Sequence, residues 1–323
     1  MEKIKEISGE IFDRHLNYCK NMIEEPLKKL IEKEEKKPKA RKNLILDYKI
    51  IDGEAIEQLI GAKPDEMLEL SDGFINEFKT VTGKKTIFNL FLTAYKSFTN
   101  TNTKGWGAYQ YLKSLEVNLC PYCNENYTYS LLDKNKTRAG YPNLTVRADL
   151  DHFFPKNTYQ LLAMSLYNLV PSCKICNSSI KGSKEFDLTK KPLNPYIESL
   201  DSQVKFIRKA KSNVNHVDVL LGHSIDFDFD IIEQVTADKY SSAEYMIDFF
   251  GIKDRYNLQH KEYIQRQVKR EVVYDEVLKN KMNSLLEGMD VSVDDTHMID
   301  RYIINNQSLG KLMNDSFGEV RNY

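Results

Sequence analysis

Cys120-Pro-Tyr-Cys123 and Cys173-Lys-Ile-Cys176-Asn177 frame the stretch that decides how this chain reads. Each Cys-x-x-Cys pair sets two thiolates close enough to share one ion, and two pairs complete a tetrahedron. The 49 residues between the pairs exceed what a compact finger needs, so the insert is expected to carry structure of its own. Four thiolates with no open position favour a structural Zn²⁺ held by Cys120, Cys123, Cys173 and Cys176. An iron–sulfur cluster and a redox dithiol are the chemical alternatives. A closed four-thiolate ion has no position left for substrate or water, so the metal is expected to act as a staple.

Between the pairs lie Leu150-Asp151-His152-Phe153-Phe154-Pro155-Lys156 and then Tyr167-Asn168-Leu169; Lys181-Gly182 follows the second pair. Residues 127–132 and 144–150 are rich in Tyr, Thr, Val and Leu and read as strands joined by a loop containing Gly140 and Pro142. Residues 158–166 read as a short helix. A second helix is expected to begin at Lys174 and to end near Gly182.

Outward from this insert the chain turns helical. Ile4, Ile7, Ile11, Phe12, Leu16 and Cys19 recur at three-to-four spacing over a helix of residues 1–36, with Pro26 as an interruption. Residues 55–98 read as mostly helical, with Ile87, Leu90, Phe91, Tyr95 and Phe98 on one apolar face. Beyond Pro192, residues 204–207 and 217–221 read as strands. Ser242 to Phe250 reads as a capped helix closed by Gly251. Asn257 is expected to cap a long helix that buries Leu258, Tyr263, Ile264, Val268, Val272, Val277, Leu278, Met282 and Leu285. The expected architecture is mainly α with a small α+β insert. Its parts are an N-terminal helical region (1–117), the insert (118–191) and a mostly helical C-terminal region (192–323).

The formal net charge of −1 does not by itself announce a nucleic-acid binder. Residues 118–191, however, carry ten Lys and Arg against six Asp and Glu, a local surplus compatible with phosphate contact. No apolar run reaches the length of a membrane span, and the charged N-terminus lacks the core of a signal peptide, so a cytoplasmic location is expected. Without an export signal, disulfides are a poor reading of the cysteines. The fifth, Cys19, falls in the first helical pattern as a small buried apolar residue. His15, His216, His223, His260 and His297 have no partner visible in sequence and read as surface or core.

Asp-His, Asn-Leu and Cys-Asn followed by Lys-Gly, in that order inside a cysteine frame, resemble an HNH endonuclease of the ββα-metal class over residues 118–191. The resemblance implies that His152 is the general base that takes a proton from the attacking water. It implies that Asp151 and Asn177 hold a catalytic divalent ion, Asn177 standing where the family name has its last histidine. Asn168 matches the middle residue, which braces the loop carrying the histidine. Oxygen ligands at Asp151 and Asn177 favour Mg²⁺ or Mn²⁺. Such an ion would offset charge growing on the phosphate and the departing 3′ oxygen. An ordinary imidazole titrates near pH ~6.5, so much of it is a neutral proton acceptor at working pH. Lys156, Lys174, Lys181 and Lys184 are candidate contacts to flanking phosphates. A solvated face accounts for those lysines equally well; capping the following helix is the alternative for Asn177 and capping a turn for Asp151, and Asp149 reads as a strand residue.

Chains of this type resemble the nuclease subunit of Septu-type anti-phage systems, which implies an ATPase partner. No G-x-x-x-x-G-K-[ST] stretch occurs here, so ATP dependence is expected to come from that partner. The expected substrate is DNA. An RNase built on the same module, and a non-catalytic zinc-stabilised binding module, are the competing readings.

Overall fold

The computed structural model describes residues 3–100, 105–132, 145–234, 237–273, 281, 284–285 and 307–321. Ser8 caps the first helix, α1 (Gly9–Cys19), its side chain accepting from Ile11 N. A π-type turn, Lys20–Glu24, leads directly into α2 (Glu25–Glu35), which carries Pro26 in its first turn. Pro26 therefore does not break the helix. It has no N–H to give and crowds the carbonyl one turn back, and the wide turn before it absorbs both problems.

Helices α3 (Lys42–Ile50), α4 (Gly53–Gly61), α5 (Met67–Glu77), α6 (Val81–Phe98) and α7 (Ala108–Leu115) complete the N-terminal body. The start of α6 is fixed from a distance. Buried Asp47 accepts from Lys79 N and Thr80 N at 2.7 and 2.9 Å, and Thr80 caps Gly83 N. A Cβ on Gly83 would lie 2.3 Å from an Asp47 carboxylate oxygen, so only glycine lets α6 come this close.

Three small antiparallel pairs follow. Strands β1 (Leu131–Leu132) and β2 (Thr145–Val146) form the first. Strands β3 (Asp149–His152) and β4 (Leu169–Ser172) form the second, with His152 opposite Leu169 and Asp149 opposite Ser172. A π-type helix, Ile175–Lys181, leaves β4 and stops at Gly182, which has φ +53°. The third pair is β5 (Val204–Ala210) with β6 (Phe227–Glu233).

Helices α8 (His216–Leu220), α9 (Ala237–Phe249), α10 (Ile252–Gln259), α11 (Lys261–Val273) and α12 (Gly310–Arg321) pack around the third pair. Both of its edges are covered. On β5, Asp315 and Glu319 of α12 accept from Phe206 N and Arg208 N; on β6, Asn257 bonds both N and O of Phe229.

The fold is mainly helical with small sheets, and buried residues from all three segments of the chain join one core. The C-terminal reading needs correction. Residues 217–221 are helix and turn, not strand, because Asn215 caps Val217 N and starts α8. Ser242 lies inside α9, not at its start. Asn257 is interior to α10 and spends its amide on β6, and Leu258 is 82 % exposed. Val277, Leu278 and Met282 lie outside the described residues, as does the loop 133–143.

Candidate functional site

The first Cys-x-x-Cys sits in a tight turn closed by Cys120 N to Asn126 O and Asn124 N to Cys120 O, at 2.9 and 2.8 Å. Asn124 takes a left-handed conformation, φ +51°, which lets the chain fold back after Cys123. The second pair straddles the end of β4 and the first turn of the π helix, where Cys176 N points at Cys173 Sγ at 3.4 Å. All four sulfurs are buried and lie within 4.8 Å of one another. Cys123 Sγ and Cys173 Sγ are 3.9 Å apart. A tetrahedral zinc with bonds of about 2.3 Å spaces its sulfurs by about 3.8 Å, so the four residues fit that ion without rearrangement. Hydrogen bonding from Cys120, then from Cys173 and Cys176, holds the Cys123 thiol well below its usual range.

The C-terminal region grips this turn. Tyr256 donates its hydroxyl to Cys123 O at 2.6 Å, and Leu309 N and Lys311 N bond the backbone and side-chain oxygens of Asn124. Glu125 takes Arg255 and His260, and Arg255 also reaches Cys176 Sγ at 3.6 Å.

Strand β3 carries the other cluster. His152, 5 % exposed, has its Nε2 3.0 Å from Ala163 O. A carbonyl only accepts, so Nε2 bears the hydrogen and Nδ1 holds the free lone pair. No described group bonds Nδ1. Burial first, then the charge of Lys156, pushes the imidazole down to about 3; Lys181 acts in the same direction and the Ala163 bond opposes. His152 is therefore a neutral imidazole of one tautomer, not the half-titrated group an unperturbed value implies. Asn168, fully buried, clamps the next turn. Its Oδ1 accepts from Phe154 N at 2.7 Å, and its Nδ2 donates to Phe154 O and Leu162 O.

Asp151 is 3 % exposed. Lys181 Nζ lies 2.8 and 2.9 Å from its two oxygens and also bonds His152 O, and Tyr122 donates to Oδ2 at 2.7 Å. Asn177 sits elsewhere on the same face, giving its Nδ2 to Asp149 Oδ2 at 3.0 Å, and Ser178 joins it there. Asp151 and His152 are consecutive on β3 and face opposite sides, Asp151 toward Lys181 and Tyr122 and His152 toward Ala163 and Tyr95, while Asn168 braces the turn after the strand. Asp151 and Asn177 are not turned toward a common ion, and with these partners the pair does not fit a shared Mg²⁺ or Mn²⁺.

Lys181, 2 % exposed, is committed to Asp151 and is not a free phosphate contact. Lys174 and Lys184 are exposed, and Lys156 is half-buried with its ammonium 5.3 Å over the Tyr95 ring.

Three partners escaped the sequence reading. Asp149 shares its strand face with Asp151, which period-two alternation signals. Tyr122 lies between two ligating cysteines, a position that tethers it near β3. Tyr95 comes from α6, 57 positions before His152 in the chain; no local pattern announces that contact.

A buried four-cysteine group able to hold a metal ion lies at the end of an antiparallel β-pair that runs into a short helix, with Asp151 and His152 on the first strand and Asn168 bracing the turn after it. The Septu protein PtuB of Bacillus thuringiensis is 34 % identical to this chain over 84 residues, 24 % of this chain and 32 % of that protein. The match thus spans about a third of that relative's own length. No family model matches the chain, and no solved structure does.

Proposed function

We propose that this chain is an HNH-type endonuclease that hydrolyses DNA, the effector subunit of a Septu-type anti-phage system. The observation that carries the reading is His152: a neutral imidazole whose Nε2–H is tied to Ala163 O, leaving Nδ1 as the nitrogen with a free lone pair. In the proposed reaction Nδ1 removes a proton from water, the water oxygen attacks phosphorus as the bond to the 3′ oxygen breaks, and the departing oxygen takes up a proton from solvent. Asn168 holds the turn after His152 so that the ring keeps its orientation. Lys156 supplies positive charge near the imidazole, while Lys174 and Lys184 are exposed cations for neighbouring phosphates. The likeness to a Septu protein supports the defence role and, with it, an ATPase partner. The zinc reading rests on the four-thiol geometry. The divalent ion implied by the resemblance is a separate claim.

A second reading has one observation in its favour. Asp151 and His152 are both buried with partners, as in a structural polar network, and a zinc-stabilised binding module would look the same.

Incubating the full chain with supercoiled plasmid, in Mg²⁺, Mn²⁺ or EDTA, separates the two, with His152→Ala and a parallel RNA substrate alongside. Cutting of plasmid by the wild type and not by the variant supports the nuclease, and cutting that EDTA abolishes and Mg²⁺ or Mn²⁺ restores without added zinc supports the divalent ion. Equal cutting by both proteins removes His152 from the reaction. Binding without cutting in every condition, co-expressed ATPase included, favours the binding module.

A further inference from the structure

Tyr95 reaches the His152 site from outside the segment that resembles a nuclease. Its ring meets the imidazole edge-to-face, with centroids 4.4 Å apart and planes at 66°. Its hydroxyl donates to Leu150 O at 3.3 Å, two residues before His152 on β3. Lys156 lies over the same ring. The tyrosine is therefore fixed to the strand and to the imidazole, and it carries a nearby cation.

The imidazole itself has one hydrogen bond, through Nε2. One bond leaves the plane free to tilt about the N–O axis, and a half-turn of the ring would put carbon where Nδ1 stands. An edge-to-face aromatic contact adds the missing restraint, since such pairs are stabilised by about 0.5–1.5 kcal/mol in their preferred orientation. Helix α6 can supply that restraint rigidly because its start is pinned to Asp47.

We propose that Tyr95 is a positioning residue for His152, its ring setting the plane of the imidazole. This rests on His152 being the general base. The N-terminal helical body would then be part of the active site and not only its support.

Two variants test it in the full chain, Tyr95→Phe and Tyr95→Leu. Tyr95→Phe keeps the ring and should hold kcat within about threefold, while Tyr95→Leu should lower kcat by about 10- to 100-fold with KM within about twofold. Nitrogen-15 spectra of the histidine rings provide a readout independent of cutting. Wild type and Tyr95→Phe should show one sharp set of His152 ring signals, and Tyr95→Leu should show them broadened or shifted by motion of the ring. A Tyr95→Leu protein with an unchanged His152 spectrum overturns the proposal, as does an effect confined to KM. If the wild type cuts nothing under any condition, the nuclease reading fails by itself, and the spectra still decide whether Tyr95 holds the ring.

Discussion

His15 and His152 are two buried histidines that grip successive carbonyls of one loop. His152 Nε2 bonds Ala163 O, and His15 Nε2 bonds Met164 O at 2.8 Å. Burial lowers both, His152 to about 3 and His15 to about 4. They differ at the other nitrogen. Trp106 Nε1 donates to His15 Nδ1 at 3.2 Å, so both nitrogens of that ring are occupied. His152 Nδ1 has no such partner among the described residues. Burial and a depressed pKa are therefore common to both rings, and the unoccupied nitrogen of His152 is what the proposed general base would use.

The largest expected effect removes the frame beneath both. Stripping the zinc with a chelator, or Cys176→Ala, should cost more than about 4 kcal/mol, since loss of a structural metal belongs to the exceptional class of destabilisations. The C-terminal region should open with it, because Tyr256, Leu309 and Lys311 all hold the turn at Cys123 and Asn124. Thermal melts with metal analysis and limited proteolysis read this. A chain that keeps its melting point after losing all metal would mean that the four thiols are only core.

Exchanging the two histidines for alanine should separate rate from stability. His152→Ala is expected to lower the cutting rate by about 10²- to 10⁴-fold, beyond the fall in melting temperature that the loss of its own buried ring brings. His15→Ala should lower the melting temperature and leave most of the rate, since it removes a buried side chain with two hydrogen bonds. If His15→Ala abolished cutting while melting normally, the distinction drawn from the free nitrogen would be wrong.

The contrast also shows what could be read ahead of the structure. Spacing alone located the four cysteines, because two residues between ligands is a local geometric demand. Order along the chain singled out Asp151, His152 and Asn168, all of which the fold buries. The division of labour between Asp149 and Asp151 was hidden, because it depends on where the π helix sets Asn177 and Lys181 against β3. The helix has one residue more per turn than an α reading assumes. His15 was legible only as a surface or core residue, and Tyr95 only as a member of an apolar helix face. Their partners are 149 and 57 positions away, and periodicity says which face is buried but not what it meets. In the C-terminal region the β-branched stretch 217–221 misled, because a capping Asn215 outweighs strand propensity over so few residues.

Acid should weaken the fold through His15 in a defined window. Its folded value of about 4 lies below the unfolded value of 6.5, so the unfolded chain binds the extra proton. Stability from this group is complete above about pH 6.5, falls as pH drops toward 4 and then levels off. The gap corresponds to about 3 kcal/mol at about 1.4 kcal/mol per pH unit. Denaturant midpoints at pH 7 and pH 4.5 should show that loss in the wild type and a smaller one in His15→Gln. Equal losses would place the acid sensitivity on other groups.

The smallest effect tests the comparison most directly, because it makes His15 resemble His152. Trp106→Phe keeps an aromatic ring but removes the donor to Nδ1. At pH 7 the cost should be about 1–2 kcal/mol, the range for one buried hydrogen bond whose acceptor is left unpaired. Below pH 6.5 the sign turns. In the wild type, protonating Nδ1 requires breaking the Trp106 bond; in the variant it does not, so the folded value of His15 should move up toward 6.5 and the acid loss should shrink. The two proteins should therefore converge in stability between pH 7 and pH 5. Parallel pH curves would mean that burial alone sets the His15 value, and that an unoccupied nitrogen is not what makes a buried imidazole available as a base.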